Sequence, residues 1–143
     1  MDSVGILIIC RKTKRFLLLH RVEKPVVWSI LTGTMDVKGE TPLQCIKREI
    51  KEEIRVEPTF IEGIKKVGTL KSNRGTFHVF VGFVDEEFTP DLKLDENDKF
   101  RWSDENDLPD NIHNKWGETY NLVKNYINLK EVVSKKIKLL LKN

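Results

Sequence analysis

Five residues in one short stretch carry the chemistry of this sequence: Glu40, Arg48, Glu49, Glu52 and Glu53. A helix advances about 100° per residue, so Glu49, Glu52 and Glu53 fall within roughly 100° of arc on one side. Leu43, Ile46, Ile50 and Ile54 form an adjacent apolar arc expected to face a sheet, and Lys47, Lys51 and Arg55 lie on the outer side. Three like charges at i, i+3 and i+4 repel, and beside an apolar boundary they repel more than in open water. A hard divalent cation such as Mg²⁺ relieves that repulsion, because it prefers carboxylate oxygens, keeps several waters and bridges to substrate phosphates. Arg48, one turn before Glu52, neutralises one of the three charges. The plainer alternative is a solvated surface helix in which Arg48 and Glu52 pair across one turn.

The helix that presents these groups is well marked. Thr41-Pro42-Leu43-Gln44 fits a capping box with Thr41 as N-cap and Pro42 at the first helical position, and the helix is expected to run to about Ile54. Ahead of it, Val4 to Cys10 and Phe16 to Val22 read as a strand pair around the polar turn 11–15. Val26 to Leu31 reads as a third strand leading into a loop over 32–39. After Pro58 come strands over 63–71 and 76–84, the latter alternating as a half-buried strand does, and a short one over 99–103. From Trp116 onward the chain reads as helix, with Val132, Val133, Ile137 and Leu140 giving its last stretch an apolar face. This order implies an α+β or α/β sandwich with a mixed sheet between helices.

Bulk properties bound the function. At 143 residues, 33% charged and 39% hydrophobic, the chain is expected to form one domain over 1–143 with its own core. The net charge of +3 is small for an obligate nucleic-acid coat or a polybasic membrane binder. It hides a segregation: residues 85–110 hold 11 of the 22 acidic residues against three basic ones, whereas six lysines face one glutamate from Asn121 onward. Cys10 and Cys45 belong to no metal-ligand spacing or disulfide pattern. No apolar run approaches the roughly 20 residues of a membrane span, and the start lacks the features of a secretory leader. A reducing, cytoplasmic setting is the expectation.

The whole segment resembles the box of the Nudix hydrolase family, G-x5-E-x7-R-E-U-x-E-E-x-G-U, where U is a bulky aliphatic residue. Glu40, Arg48-Glu49-Ile50-Lys51-Glu52-Glu53 and Val56 match it, while Thr34 and Arg55 stand where the box has glycines. The resemblance implies a Nudix α/β/α sandwich and hydrolysis of a diphosphate linkage with Mg²⁺ or Mn²⁺. It places metal on Glu49, Glu52 and Glu53 and on the backbone carbonyl at Thr34. Arg48 would orient the glutamates, and Glu40 would be a supporting ligand or loop anchor. Glu96, ahead of Trp102, resembles a further metal-binding or basic glutamate that the family carries before a Trp-containing strand, with Asp95, Asp98, Glu86 and Glu87 as competitors for the role. The general base remains open among Glu49, Glu53 and Glu96.

Substrate choice rests on residues outside the box. The run Val27-Trp28-Ser29-Ile30-Leu31-Thr32-Gly33-Thr34, and later His113-Asn114-Lys115-Trp116, is similar to the branch acting on dihydroneopterin triphosphate and nucleoside triphosphates. The implied reaction gives a monophosphate and pyrophosphate. Hydrolysis of a dinucleoside polyphosphate and a catalytically silent nucleotide sensor are the alternatives. Arg21, Trp28, Gly33 and Glu40 are the candidate substrate-side residues, with Arg21 for phosphate and Trp28 for stacking on a base or pterin. His20 and His78 read as ordinary strand residues. The expected partner is a small phosphate compound rather than a membrane or nucleic acid, with room for a homodimer. The lysine-rich end reads as the solvated face of an amphipathic helix.

Overall fold

The computed structural model of the protein describes residues 1–142. Seven strands form one mixed sheet: β1 Ser3–Cys10, β2 Phe16–Arg21, β3 Trp28–Ser29, β4 Leu31–Thr34, β5 Glu62–Ser72, β6 Gly75–Val84 and β7 Asn97–Ser103. Helix α1 is Pro42–Ile54 and helix α2 is Trp116–Leu141. The main path runs β3-β2-β1-β6-β5, with β4 against β1 and β7 against β2. Among the pairings between these strands, β1–β6 is the parallel one, in register from Ser3 with Phe77 to Cys10 with Val84.

Strand β1 reads as an unbroken apolar run because it is central and covered on both faces. Val4, Ile6, Ile8 and Cys10 pack with Ile46, Ile50 and Ile54 of α1. Leu7 and Ile9 point the other way, toward Trp116 and Val123 of α2. One helix per face makes the α/β/α sandwich. The same double coverage corrects the reading of 76–84 as a half-buried strand. Phe80 and Val84 join the α1 side and Val79 and Val81 the α2 side, all of them buried.

Three other expectations change. The apolar stretch 26–31 is two strands: β3 pairs with β2, and β4 pairs with β1 and continues through Thr34 into what read as loop. Leu43 is exposed, so Cys45 takes the place expected of it beside Ile46, Ile50 and Ile54. Helix α2 packs on the sheet through residues up to Ile127, but Val132, Val133, Ile137 and Leu140 beyond it are exposed. Among the described residues no helix is long and apolar enough to cross a membrane, and both cysteines are free and buried.

Candidate functional site

Helix α1 is held at both ends, which fixes the direction of its carboxylates. Thr41 Oγ1 accepts from Gln44 N at 3.2 Å, and Thr41 N donates to Gln44 Oε1 at 2.9 Å, so the capping box is complete. At the other end Arg55 adopts φ 53°, ψ 38°, the left-handed conformation that usually falls to glycine. The helix therefore ends as a glycine would end it, with a residue that pays a steric cost there.

Arg48 does more than its helical spacing suggests. Its Nε and Nη2 donate to the two oxygens of Glu40 at 2.8 and 2.9 Å, and its Nη1 donates to Glu49 Oε1 and Glu52 Oε2, both at 3.1 Å. Nη2 also reaches the Thr34 carbonyl and Asp36 Oδ1, each at 3.4 Å. The expectation that Arg48 neutralises Glu52 alone is thus corrected, because the loop before the helix folds back and brings Glu40 and Asp36 to the same guanidinium. These bonds hold the Glu40 carboxyl below its usual range, and Glu40 in turn raises the guanidinium pKa.

Glu53 lies beyond that arginine. It is 6% exposed, as is Glu49, and its side chain accepts from Asn97 Nδ2 at 3.1 Å. Burial, then the charges of Glu96 and Glu49, push the Glu53 carboxyl up to about 7. Burial pushes Glu49 up to about 6, against the opposing pull of Arg48. Asn97, the first residue of β7, is a site residue that sequence reasoning missed. Nothing local marks it, since its partner lies 44 positions away.

These groups form one wall of an open cleft of about 1100 Å³. Glu49, Glu52, Glu53, Glu96, Gly33 and Thr34 all line it, so the structure brings together the box glutamates, the β7-side glutamate and the β4 loop. Gly33 is needed for close approach rather than for an unusual backbone angle, because a Cβ there would collide with the Glu49 carboxylate. Neither Gly33 nor Thr34 has positive φ, so Thr34 carries no conformational penalty in place of the box glycine. Its carbonyl already accepts from Asp36 N at 2.9 Å and from Arg48.

Cationic and polar residues from other elements complete the lining. Arg21 and Lys24, Lys71 and Arg74 of the β5–β6 hairpin, and His113 and Lys115 before α2 all line the cleft. Burial, then the nearby charges of Arg21 and Lys115, lower the His113 pKa. Trp28 is elsewhere. Its ring packs against His20 and Arg101 and lines a separate shallow groove with Leu92, Leu94 and Phe100. The structure does not bring it to the cleft.

A hard divalent ion suits this donor set, which consists of carboxylates, two of them buried and one of those without a cationic partner. Among the described residues no three acidic, His or Cys side chains already converge closely enough to cage an ion. That is compatible with Mg²⁺, which binds through one or two carboxylates and fills its shell with water and substrate phosphate.

Comparison with known proteins agrees with this geometry. The model of the NUDIX domain family matches residues 1–126. Dihydroneopterin triphosphate diphosphatase of Escherichia coli (strain K12) is 38% identical over 55 residues, a stretch covering 38% of this chain and 36% of that protein. The match therefore spans little more than a third of that curated relative. The solved E. coli dihydroneopterin triphosphate pyrophosphohydrolase superposes with a TM-score of 0.61 at 23% identity, over 71% of this chain and 78% of that one. A Caenorhabditis elegans Ap4A hydrolase complex gives 0.72 at 22% identity, over 90% and 98%. At such identities the structural likeness speaks for the fold.

Proposed function

The chain belongs to the Nudix family, and on that premise we propose that it is a metal-dependent pyrophosphohydrolase that converts a (deoxy)nucleoside or pterin triphosphate to a monophosphate and pyrophosphate. The observation that carries this reading is the buried Glu53, which no cationic side chain pairs directly, beside Glu49, Glu52 and Glu96 in a cleft that Arg21, Lys24, Lys71, Lys93 and Lys115 also line. The 55-residue likeness to dihydroneopterin triphosphate diphosphatase supports the choice of substrate.

Glu49, Glu52, Glu53 and Glu96, with the carbonyl at Thr34, would hold Mg²⁺ or Mn²⁺. When bound, the ion offsets phosphate charge and stabilises the charge that develops in the transition state. The chain's own residues do the rest. Arg48 holds Glu49 and Glu52 in place through Nη1 and ties the β4 loop to the helix through Glu40. Asn97 fixes the Glu53 carboxylate toward the cleft. The attacking water gives its proton to Glu53 or Glu96, the two carboxylates that Arg48 does not engage, as its oxygen bonds to phosphorus. The bridging P–O bond breaks, and the leaving phosphate takes the electron pair. Arg21, Lys71 and Lys115, which line the same cleft, would receive the remaining anionic oxygens.

The test is a product assay. Protein with Mg²⁺ is given dNTPs, dihydroneopterin triphosphate, diadenosine tetraphosphate and ADP-ribose, beside a Glu53→Gln control. Pyrophosphate and monophosphate from a triphosphate support the proposal. Preferential cleavage of diadenosine tetraphosphate would replace it with the dinucleoside reading, and no turnover above the control would leave a nucleotide sensor.

A further inference from the structure

The second half of α2 is unexplained by the site or by the core. The family match ends at residue 126, and the last side chains of α2 that pack on the domain are Tyr126 and Ile127. The helix then continues to Leu141. Over 128–142 every large apolar side chain is at least 48% exposed. Leu129, Val132, Val133, Ile137 and Leu140 fall within roughly 140° of helical arc, which Leu139 and Leu141 at its two margins widen to about 200°, and among the described residues nothing covers them. Lys135, Lys138 and Lys142 lie on the opposite side, with Lys130 at the margin and Lys136 inside the apolar arc.

Charge decides what this face fits. The segment carries five lysines and one glutamate, a surplus of four, although the whole chain has only +3. The rest of the protein is therefore slightly acidic, and the positive excess sits on this projecting helix. A second copy of the same segment would set lysine against lysine, and it offers only Glu131 for the interhelical ion pairs that select helix partners. A nucleic acid would answer the lysines but leave the leucines uncovered. An anionic lipid surface answers both: apolar side chains enter the acyl boundary, and lysines meet headgroup charge, with the Lys136 stem lying along apolar surface.

We propose that residues 128–142, the end of α2 with its C-cap Lys142, form an amphipathic anchor that lies on an anionic membrane surface, with the slightly acidic domain held clear of it. The anchoring is peripheral and reversible, since the segment buries one face and spans nothing.

Full-length protein is sedimented with vesicles of phosphatidylcholine alone, and with vesicles that also contain phosphatidylglycerol, at low and moderate salt. The expected result is binding at least about tenfold tighter to the anionic vesicles, weakening as salt rises. Two double variants, Ile137→Ser with Leu140→Ser and Lys135→Glu with Lys138→Glu, should each weaken it at least tenfold. Both change exposed side chains, so an unchanged melting midpoint shows that the fold is intact. Equal binding to both vesicles, binding to neither, or indifference to both variants overturns the proposal. A concentration-dependent dimer that the Ile137/Leu140 variant dissociates would assign the face to a second copy instead. Tighter binding to DNA or RNA than to anionic vesicles would assign it to nucleic acid.

Discussion

At one end of the carboxylate row on α1, Arg48 reaches Glu40, Glu49, Glu52 and Asp36 at once. At the other end, Glu53 has one direct partner, the neutral donor Asn97, and the repulsion of Glu96 and Glu49 outweighs the more distant charge of Lys93. Both ends are acidic and both border the core, but one is paired directly by an arginine and the other is only weakly compensated, by Lys93 at a distance. A protein selected only for stability would gain by neutralising Glu53, because a buried charge with no directly paired counter-charge is costly. The weakly compensated end is therefore where an external cation has most to offer, and the Arg48 end is the frame that keeps the row aligned with it.

The largest effects should come from breaking each end separately. Glu53→Gln keeps the shape and an acceptor for Asn97 while removing the charge. Turnover should fall roughly 10²–10⁴-fold while the metal-free protein melts at the same temperature or higher. Arg48→Ala should do the reverse in proportion. It strands Glu40 and Glu49 and should cost roughly 2–3 kcal/mol in urea unfolding, with activity falling as the row loses alignment. If both variants lose stability equally, the two ends do not differ in the way described.

A smaller effect is expected at Gly33, where β4 passes against Glu49. Gly33→Ala puts a methyl group into that carboxylate and should cost roughly 1–3 kcal/mol along with much of kcat. Thr34→Gly, one residue on, removes an exposed side chain from a strand position without positive φ and should change stability by less than about 1 kcal/mol. A mild Gly33→Ala would mean that Glu49 can move aside, and that the Arg48 end is less rigid than its bonds suggest.

The carboxylates also titrate with opposite signs, and Glu49 sides with Glu53 in spite of its bond to Arg48, because burial outweighs that bond. Glu40 is held below its usual range by Arg48, so the stability it contributes is present above the ordinary carboxylate pKa and lost as pH falls through its lowered value. Glu53 and Glu49 are raised to about 7 and about 6, so the folded protein binds protons that the unfolded chain has released. Their contribution is complete below about 4.5 and lost as pH rises through 6 to 7. The melting midpoint of metal-free protein should decline from pH 5 to pH 8. That decline should be smaller in Glu53→Gln, and Mg²⁺ should restore more at pH 8 than at pH 5.5.

Much of this frame was legible in the residues. The capping box, the apolar arc and the placing of Glu49, Glu52 and Glu53 on one edge follow from local spacing, and local spacing is what a helix obeys. The contrast between the ends was not legible, because it depends on chain segments that meet only in the fold. Helical spacing shows Arg48 one neighbour, Glu52, and the loop supplies Glu40 and Asp36. Asn97 reaches Glu53 because β7 pairs with β2, a distant pairing that no local pattern records. The split of 26–31 into β3 and β4 was hidden for a similar reason, since the chain changes partners at Ile30 with no turn residue to announce it. The apolar periodicity of α2 was read correctly as a face, but periodicity does not say whether anything covers that face.

The smallest effect sharpens the comparison from just past the Glu53 end. Arg55 closes α1 in the left-handed region, which costs an L-residue about 1 kcal/mol or more, and its side chain pairs with Asp91 at 3.2 Å in an exposed position. Such a pair contributes little. Arg55→Gly should therefore raise stability by about 0.5–1 kcal/mol, whereas Arg55→Ala, which keeps the strain and loses the pair, should be neutral or slightly worse. Neither change touches a carboxylate, so kcat should stay within about twofold in both. If Arg55→Gly is stabilising and silent in catalysis, the missing box glycine is a matter of how the helix ends. If it lowers kcat while stabilising the fold, the strained cap itself helps to set Glu53, and the weakly compensated end is held by backbone as well as by Asn97.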